Sequence, residues 1–133
     1  MKFIGVDGKT HNVNIAANSY PMRSEGASKS SIQFQCGQLL RRAYPYSVIL
    51  EEFPVPGSRL YVDFFMPELR VAFEIHGKQH DKFTAHFHGN IKGFNKSRVR
   101  DNDKAQWCLA NDIKLYEIRS EEEMRKVLGL TNE

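Results

Sequence analysis

The chain has 133 residues, of which 41% are hydrophobic and 26% are charged, and its formal net charge at pH 7 is +3. This length suits one domain that buries its own core, and the composition is ordinary for a globular protein in water. No apolar run approaches the roughly 18–20 residues of a membrane span, and the first residues lack the apolar core of a signal peptide. The two cysteines, Cys36 and Cys108, provide no disulfide framework. We therefore expect a cytoplasmic protein with no membrane partner.

The N-terminal residues predict a β-hairpin and a linker. Two short runs, residues 3–6 and 11–15, flank Asp7-Gly8, a dipeptide that is favoured in tight turns. Residues 16–28 are rich in Ser, Asn and Gly, which predicts a loop.

A helix and three strands are predicted next. Ser30 or Ser31 is placed to cap a helix that runs to about Ala43. The three segments that follow are rich in β-branched and aromatic residues and are separated by turn sequences. These predicted strands are residues 47–53, 59–66 and 70–76.

The C-terminal part predicts a loop, two helices and one more strand. Residues 77–97 have no stable period and predict a long loop, and residues 98–111 predict a helix. The core candidates of this helix are Val99, Trp107, Leu109 and Ala110. Residues 113–118 predict a strand, and Ser120 begins a capping box for a last helix that ends near Gly129.

The predicted fold class is α/β, with a mixed central sheet flanked by helices. Its core order is α-β-β-β-α-β, preceded by the N-terminal hairpin. One domain is expected, in which residues 1–27 form the hairpin and linker, 28–119 the core, and 120–133 the last helix and tail.

Asp63 and Glu74 carry the strongest chemical signal, because each is a carboxylate inside an otherwise apolar strand. A turn at Pro67-Glu68 joins the two strands and can bring the carboxylates side by side if the register allows it. A buried carboxylate must be paired, protonated or bound to a metal, since an isolated buried charge is very costly. The alternative is an edge strand whose charged face meets water.

His76 follows Glu74 by two positions, so it lies on the same face of the predicted strand. Gly77, Lys78 and His80 come next in the chain. Two carboxylates beside a proton-transferring group form a workable phosphodiesterase site, because the carboxylates hold Mg²⁺ and the base positions a water. The residues thus indicate metal-assisted hydrolysis of a phosphodiester.

This part of the chain resembles a known nuclease family. Asp63 … Glu74-Ile75-His76 is similar to the motif of the PD-(D/E)XK nuclease superfamily, with His76 in the place of the usual Lys. Longer runs resemble its very-short-patch-repair branch, which includes phage-encoded homing endonucleases. Those runs are residues 61–67, 72–80 and 98–115.

The resemblance covers residues 30–119 and implies a restriction-endonuclease-like fold and a Mg²⁺-dependent DNA endonuclease, in which Mn²⁺ substitutes for Mg²⁺. Its implied residue roles follow the motif. Asp63 and Glu74 are the metal ligands, and His76 or His80 handles the proton. Asp101, at the start of the late helix, matches an acidic residue of the family and is expected to orient a histidine.

Two positions depart from the family pattern. Because His76 replaces the usual Lys, the base remains one of His76, Lys78 and His80. The metal-associated glutamate of the first helix has its counterpart at Gln33 or Gln35, and the loss of that carboxylate favours a single metal ion.

Contacts with DNA are predicted in the basic segment that follows the acidic strands. Its candidate phosphate-binding side chains are Lys78, Lys82, Lys92, Lys96, Arg98 and Arg100. Phenylalanines interleave with them, which suits stacking or wedging at bases. A structural zinc ion is not expected, since the histidines and cysteines lack zinc-type spacing.

Two functions from different classes are compatible with the sequence. The first is a DNA endonuclease, and the second is a non-catalytic DNA-binding or accessory module that retains the nuclease fold. Asp63, Glu74 and His76 together favour the first, because a non-catalytic module has no need of carboxylates in apolar strands. An RNA-directed nuclease is a third reading. The sequence leaves open the DNA specificity, nicking as against double-strand cleavage, a homodimer as against a monomer, and the biological role.

Overall fold

The computed structural model describes residues 1–77 and 91–130, with the backbone alone described at 91–99. In chain order the elements are β1 (Lys2–Ile4), β2 (Thr10–Asn12), α1 (Ser31–Ala43), β3 (Leu50–Pro54), β4 (Tyr61–Met66), β5 (Val71–Ile75), α2 (Ile91–Ala110), β6 (Lys114–Ile118) and α3 (Glu121–Leu128). The fold class is mixed α/β, as predicted, and the elements follow the predicted order. No helix among the described residues is both long and apolar enough to cross a membrane.

The central sheet has four strands in the order β3-β4-β5-β6. The first three strands pair in antiparallel fashion, while β6 runs parallel to β5. A parallel pair requires a long crossover connection, and α2 lies in that connection. Phe64 of β4 pairs with Phe73 of β5, and Glu74 pairs with Glu117 of β6. The next position along the β4–β5 register therefore places Asp63 opposite Glu74.

Two buried clusters cover the sheet. One joins Phe53 and Phe65 of the sheet to Trp107 of α2 and to β1. The other joins Phe73 of the sheet to Leu40 of α1 and to α3. Helices α1 and α3 therefore pack on one side of the sheet, and α2 packs on the other.

The caps of α1 and α3 confirm the predicted helix starts. The hydroxyl of Ser30 accepts a hydrogen bond from the N–H of Gln33 at 3.1 Å. The hydroxyl of Ser120 accepts one from the N–H of Glu123, also at 3.1 Å. Gly129 ends α3 with a φ of 70°, a conformation that glycine adopts without steric cost.

The N-terminal hairpin is confirmed, with shorter strands and a longer turn than predicted. Its turn spans residues 5–9, and the N–H of Gly5 donates to the carbonyl of Lys9 at 2.8 Å. A two-residue type I′ turn needs positive φ at both central residues, whereas of Asp7 and Gly8 only Gly8 has one, at 79°. Phe3 of β1 is 1% exposed, so the hairpin contributes to the core.

Helix α2 differs from the prediction in its start and in its buried face. Residues 91–97 were predicted as loop and are helical, while residues 78–90 of that predicted loop lie outside the described residues. Leu109 was predicted in the core and is 73% exposed. Trp107 and Cys108 face the sheet, so the next two residues, Leu109 and Ala110, turn away from it at about 100° per residue. The side chain of Val99 lies outside the described part.

Candidate functional site

Asp63 and Glu74 lie where β4 and β5 separate. Beyond the pair Phe64–Phe73, side chains replace the backbone ladder. The N–H of Asp63 donates to Oε1 of Glu74 at 3.2 Å, and the N–H of Ile75 donates to Oδ2 of Asp63 at 2.7 Å. Asp63 is 2% exposed and Glu74 is 7% exposed, and both belong to central strands. The carboxylates are therefore neighbours in the interior, which removes the alternative of an edge strand facing water.

A lysine contacts each of these carboxylates. Lys29, just before α1, places Nζ 3.5 Å from Oδ1 of Asp63. Lys104 of α2 places Nζ 3.1 Å from Oε2 of Glu74. Neither lysine was among the predicted site residues. Lys104 did carry a signal, because it stands three positions before Trp107 on the buried face of its helix, where a cation needs an acidic partner. Lys29 lies between the predicted loop and the predicted helix cap, and the sequence carried no such signal for it.

Negative charge is crowded at this point of the sheet. Burial raises the pKa of Glu74 to about 7, and the charge of Asp63 adds to the effect while Lys104 opposes it. The pKa of Glu52 is raised as well, because the group is partly buried and lies near Asp63. Additional positive charge at this position would therefore favour the ionised forms of these groups.

Acidic residues in fact form one row across all four strands. The β3–β4 pairs on either side of Glu52 place it opposite Asp63, and Glu74 continues the row to Glu117 on β6. Glu52 has a φ of 52°, a left-handed conformation that costs a non-glycine residue about 1–3 kcal/mol and is concentrated at functional sites. Within residues 1–77 and 91–130, no group of three or more His, Cys, Asp or Glu is arranged to hold a metal ion. The pair Asp63 and Glu74 is therefore the candidate donor set.

His76 is buried just beyond the end of β5, at 6% exposure. Its N–H donates to the carbonyl of Ile118 at 2.7 Å, which extends the pairing with β6 by one step. Its Nε2 lies 3.3 Å from Oε1 of Glu117. Because Glu117 is the register partner of Glu74, this contact agrees with the predicted placement of His76 on the face that carries Glu74.

The remaining predicted site residues lie either on α2 or outside the described residues. Asp101 is half-buried on α2 and forms no ion pair with any residue that the structure describes, so its role in orienting a histidine stays a prediction. Arg100 is exposed beside it. Lys92, Lys96 and Arg98 lie on α2 at positions where the backbone alone is described, and Lys78, His80 and Lys82 lie outside the described residues.

Gln33, the counterpart of the family's helix glutamate, belongs to a neighbouring network around Glu51. Glu51 is 3% exposed and accepts three hydrogen bonds. The donors are the N–H of Arg23 at 2.7 Å, the hydroxyl of Ser28 at 2.6 Å and Nε2 of Gln33 at 2.8 Å. This network fixes the predicted linker against β3 and α1, and it brings Arg23 and Lys29 to the site. The sequence does not reveal this network, since its partners are up to 28 positions apart.

No family model matches the chain, and no solved structure matches it. Two viral proteins are similar to it. One is "Uncharacterized protein 307L" of Invertebrate iridescent virus 6, which is 37% identical over 59 residues. The other is "Uncharacterized protein 033L" of Invertebrate iridescent virus 3, which is 34% identical over 65 residues. The matches cover 44% and 49% of this chain but 30% and 34% of those proteins, so the chain spans about a third of the length of these relatives.

Proposed function

We propose that the protein is a Mg²⁺-dependent DNA endonuclease with a restriction-endonuclease-like fold, similar to the very-short-patch-repair branch. The observation that carries this proposal is the buried pair Asp63 and Glu74, at the point where two central strands separate. The element order α-β-β-β-α-β and the mixed sheet support it. The similarity to viral proteins is compatible with a viral or phage origin.

The donor set fits magnesium. Mg²⁺ is commonly held by one or two carboxylates, while waters and substrate phosphates occupy its other positions. Asp63 and Glu74 supply two carboxylates, and the negative charge of one beside the other favours an added cation.

Each group at the site has a distinct task in hydrolysis. Asp63 and Glu74 would hold a Mg²⁺ ion, which would supply positive charge at the phosphate and favour ionisation of the attacking water. The ammonium groups of Lys29 and Lys104 attract the phosphodiester to the site. His76 is our assignment for the base, with Glu117 orienting its ring. Lys78 and His80 are the alternatives from the sequence.

The reaction forms one bond and breaks another. The oxygen of the water bonds to phosphorus while the bond from phosphorus to the leaving oxygen breaks. The proton of the water passes to the base, and the leaving oxygen takes a proton from solvent. The products are a phosphate monoester and a hydroxyl.

Plasmid cleavage tests the proposal directly. Supercoiled DNA is incubated with the protein and Mg²⁺ or Mn²⁺, beside Asp63→Asn, Glu74→Gln and the control Glu122→Gln on the exposed side of α3. The wild type and the control are expected to produce open-circular or linear DNA, and the two site variants to lose at least about a hundredfold in rate. Cleavage that persists in both site variants overturns the assigned site.

Binding of Mn²⁺, measured by isothermal titration, separates the metal site from catalysis. We expect binding to the wild type and its loss in Asp63→Asn, with Glu122→Gln unchanged. If the wild type binds DNA but cleaves no duplex, nicked, branched or single-stranded substrate, the protein is the non-catalytic module instead.

A further inference from the structure

A basic pocket of about 660 Å³ opens beside the carboxylate pair. Five basic residues and the carboxylate of Glu52 line it, and the basic ones are Arg23, Lys29, Arg59, Arg100 and Lys104. The two lysines are those that contact the carboxylates, so the pocket is continuous with the proposed active site. Of the five, only Arg100 was predicted from the sequence to contact nucleic acid.

The pocket carries more positive than negative charge, since Glu52 is the one acidic residue among the described residues that line it, where it interacts with Lys29 and Arg23. Both lysines form ion pairs, whereas Arg23, Arg59 and Arg100 form none with any carboxylate in the described part of the chain. All three are exposed, and they come from the segment before α1, the β3–β4 connection and α2. Guanidinium groups from three separate segments in one pocket are suited to an anion, and their planar fork matches a phosphate.

One wall of the pocket is aromatic. Tyr61, at the start of β4, is 51% exposed and lines the pocket together with Leu60. Proteins that bind single-stranded nucleic acid commonly combine basic residues, which contact the backbone, with an exposed aromatic ring. Every base can stack on such a ring. The volume is in the range of pockets that hold a small ligand, such as one nucleotide.

We infer that this pocket binds one unpaired nucleotide of the substrate strand beside the cleaved bond. The phosphate contacts Arg23, Arg59 and Arg100, and the base stacks on Tyr61. The inference rests on the proposed function and names its substrate class, which is DNA with a single-stranded stretch at the site. A base that remains stacked in a duplex cannot enter such a pocket.

Fluorescence anisotropy in EDTA, without metal or cleavage, tests the pocket. A labelled single-stranded oligonucleotide is compared with the duplex of the same sequence over a series of salt concentrations. We expect tighter binding of the single strand. Arg23→Ala and Arg59→Ala should each reduce the slope of log affinity against log salt by about 0.7, the value for one phosphate contact on a single strand. Tyr61→Ala should weaken single-strand binding by about tenfold.

Arg42→Ala is the matched control, because Arg42 is an exposed arginine of α1 that does not line the pocket. Equal loss of slope in Arg42→Ala and Arg59→Ala overturns the inference, as does unchanged single-strand affinity in Tyr61→Ala. Tighter binding of the duplex, or of an RNA strand of the same sequence, overturns the assigned substrate class. Because no metal is present, a protein that binds in the expected way but cuts no DNA contradicts the proposed function alone.

Discussion

The ammonium nitrogen of Lys104 lies 3.1 Å from Oε2 of Glu74, and the two side chains are 15% and 9% exposed. Water screens such a pair poorly, so each charge depends on the other more than it would at the surface. Removing one partner of a buried pair leaves an uncompensated charge, which is the costly outcome. The pair therefore contributes to folding as well as to the chemistry proposed above.

Replacing the lysine should reveal this dependence. Lys104→Met keeps an unbranched apolar stem and removes the charge, and we expect it to lower the free energy of unfolding at pH 8 by about 3 kcal/mol. At pH 5 the loss should be smaller, because Glu74 is then protonated and needs no partner. Urea denaturation at both pH values measures the two losses. Lys126→Met, which breaks an exposed pair with Glu122 at 3.8 Å, should cost less than about 1 kcal/mol. Equal losses for Lys104→Met at pH 5 and pH 8 would contradict the interpretation.

The protonation of Glu74 predicts a pH dependence of stability. Its pKa is about 7 in the folded chain against an ordinary value of 4.5, so the folded state holds this proton more tightly than the unfolded state. The resulting stabilisation is fully present below pH 4.5 and is lost as the pH rises through 7. Glu74→Gln cannot ionise, so the variant does not lose this stabilisation as the pH rises. Between pH 4 and pH 8, the free energy of unfolding of the variant should therefore improve relative to wild type by about 3 kcal/mol. If urea denaturation shows that this difference in free energy of unfolding is independent of pH, or changes in the opposite direction, the pKa of Glu74 is not raised.

The fold could be predicted where the information is local. Ser30 and Ser120 cap helices through bonds to residues three positions later, and such a pattern is visible in the sequence. The three central strands were found for the same reason, since their β-branched and aromatic residues are contiguous. The early start of α2 was missed because residues 91–97 show no apolar period around Gly93.

The site could be predicted only in part, for a related reason. Asp63 and Glu74 stand out against apolar neighbours, so the sequence alone indicates them as candidates. Their juxtaposition depends on the β4–β5 register, which follows a turn where Arg70 has a φ of 52°, a conformation that the sequence does not indicate. Lys29 and Lys104 reach the carboxylates only after helices pack on both sides of the sheet.

The Glu51 network predicts that the segment before α1 is held in place by one buried carboxylate. Glu51→Ala leaves the N–H of Arg23 and the side chains of Ser28 and Gln33 without their acceptor. For the buried Gln33 the unsatisfied group costs about 1–3 kcal/mol, and the two part-buried donors cost less. We expect the segment to detach locally, so that trypsin cuts at Arg23 at least about tenfold faster than in wild type.

Limited proteolysis followed by mass spectrometry locates that cut. Glu25→Ala, an exposed residue of the same segment, is the control and should leave the rate at Arg23 unchanged. If both variants are cut at the wild-type rate, Glu51 does not hold the segment. If both variants are cut faster than wild type, loss of any negative charge in this region accelerates cleavage, and the Glu51 network is not the cause.

The packing of the N-terminal hairpin gives the last prediction. The ring of Phe3 lies 5.6 Å from that of Trp107 and 5.8 Å from that of Phe65, measured between centroids. Phe3→Ala would leave a cavity between α2 and the sheet, and we expect it to lower the free energy of unfolding by about 3–5 kcal/mol. Ile4→Ala, at a position that is 48% exposed, should cost less than about 1 kcal/mol. Trp107 is the one tryptophan of the chain, so its fluorescence in urea reports both values. If Phe3→Ala were as stable as Ile4→Ala, the hairpin would contribute nothing to the core. The contacts of Phe3 argue against that outcome, because they place the hairpin in the core that positions α2 and Lys104.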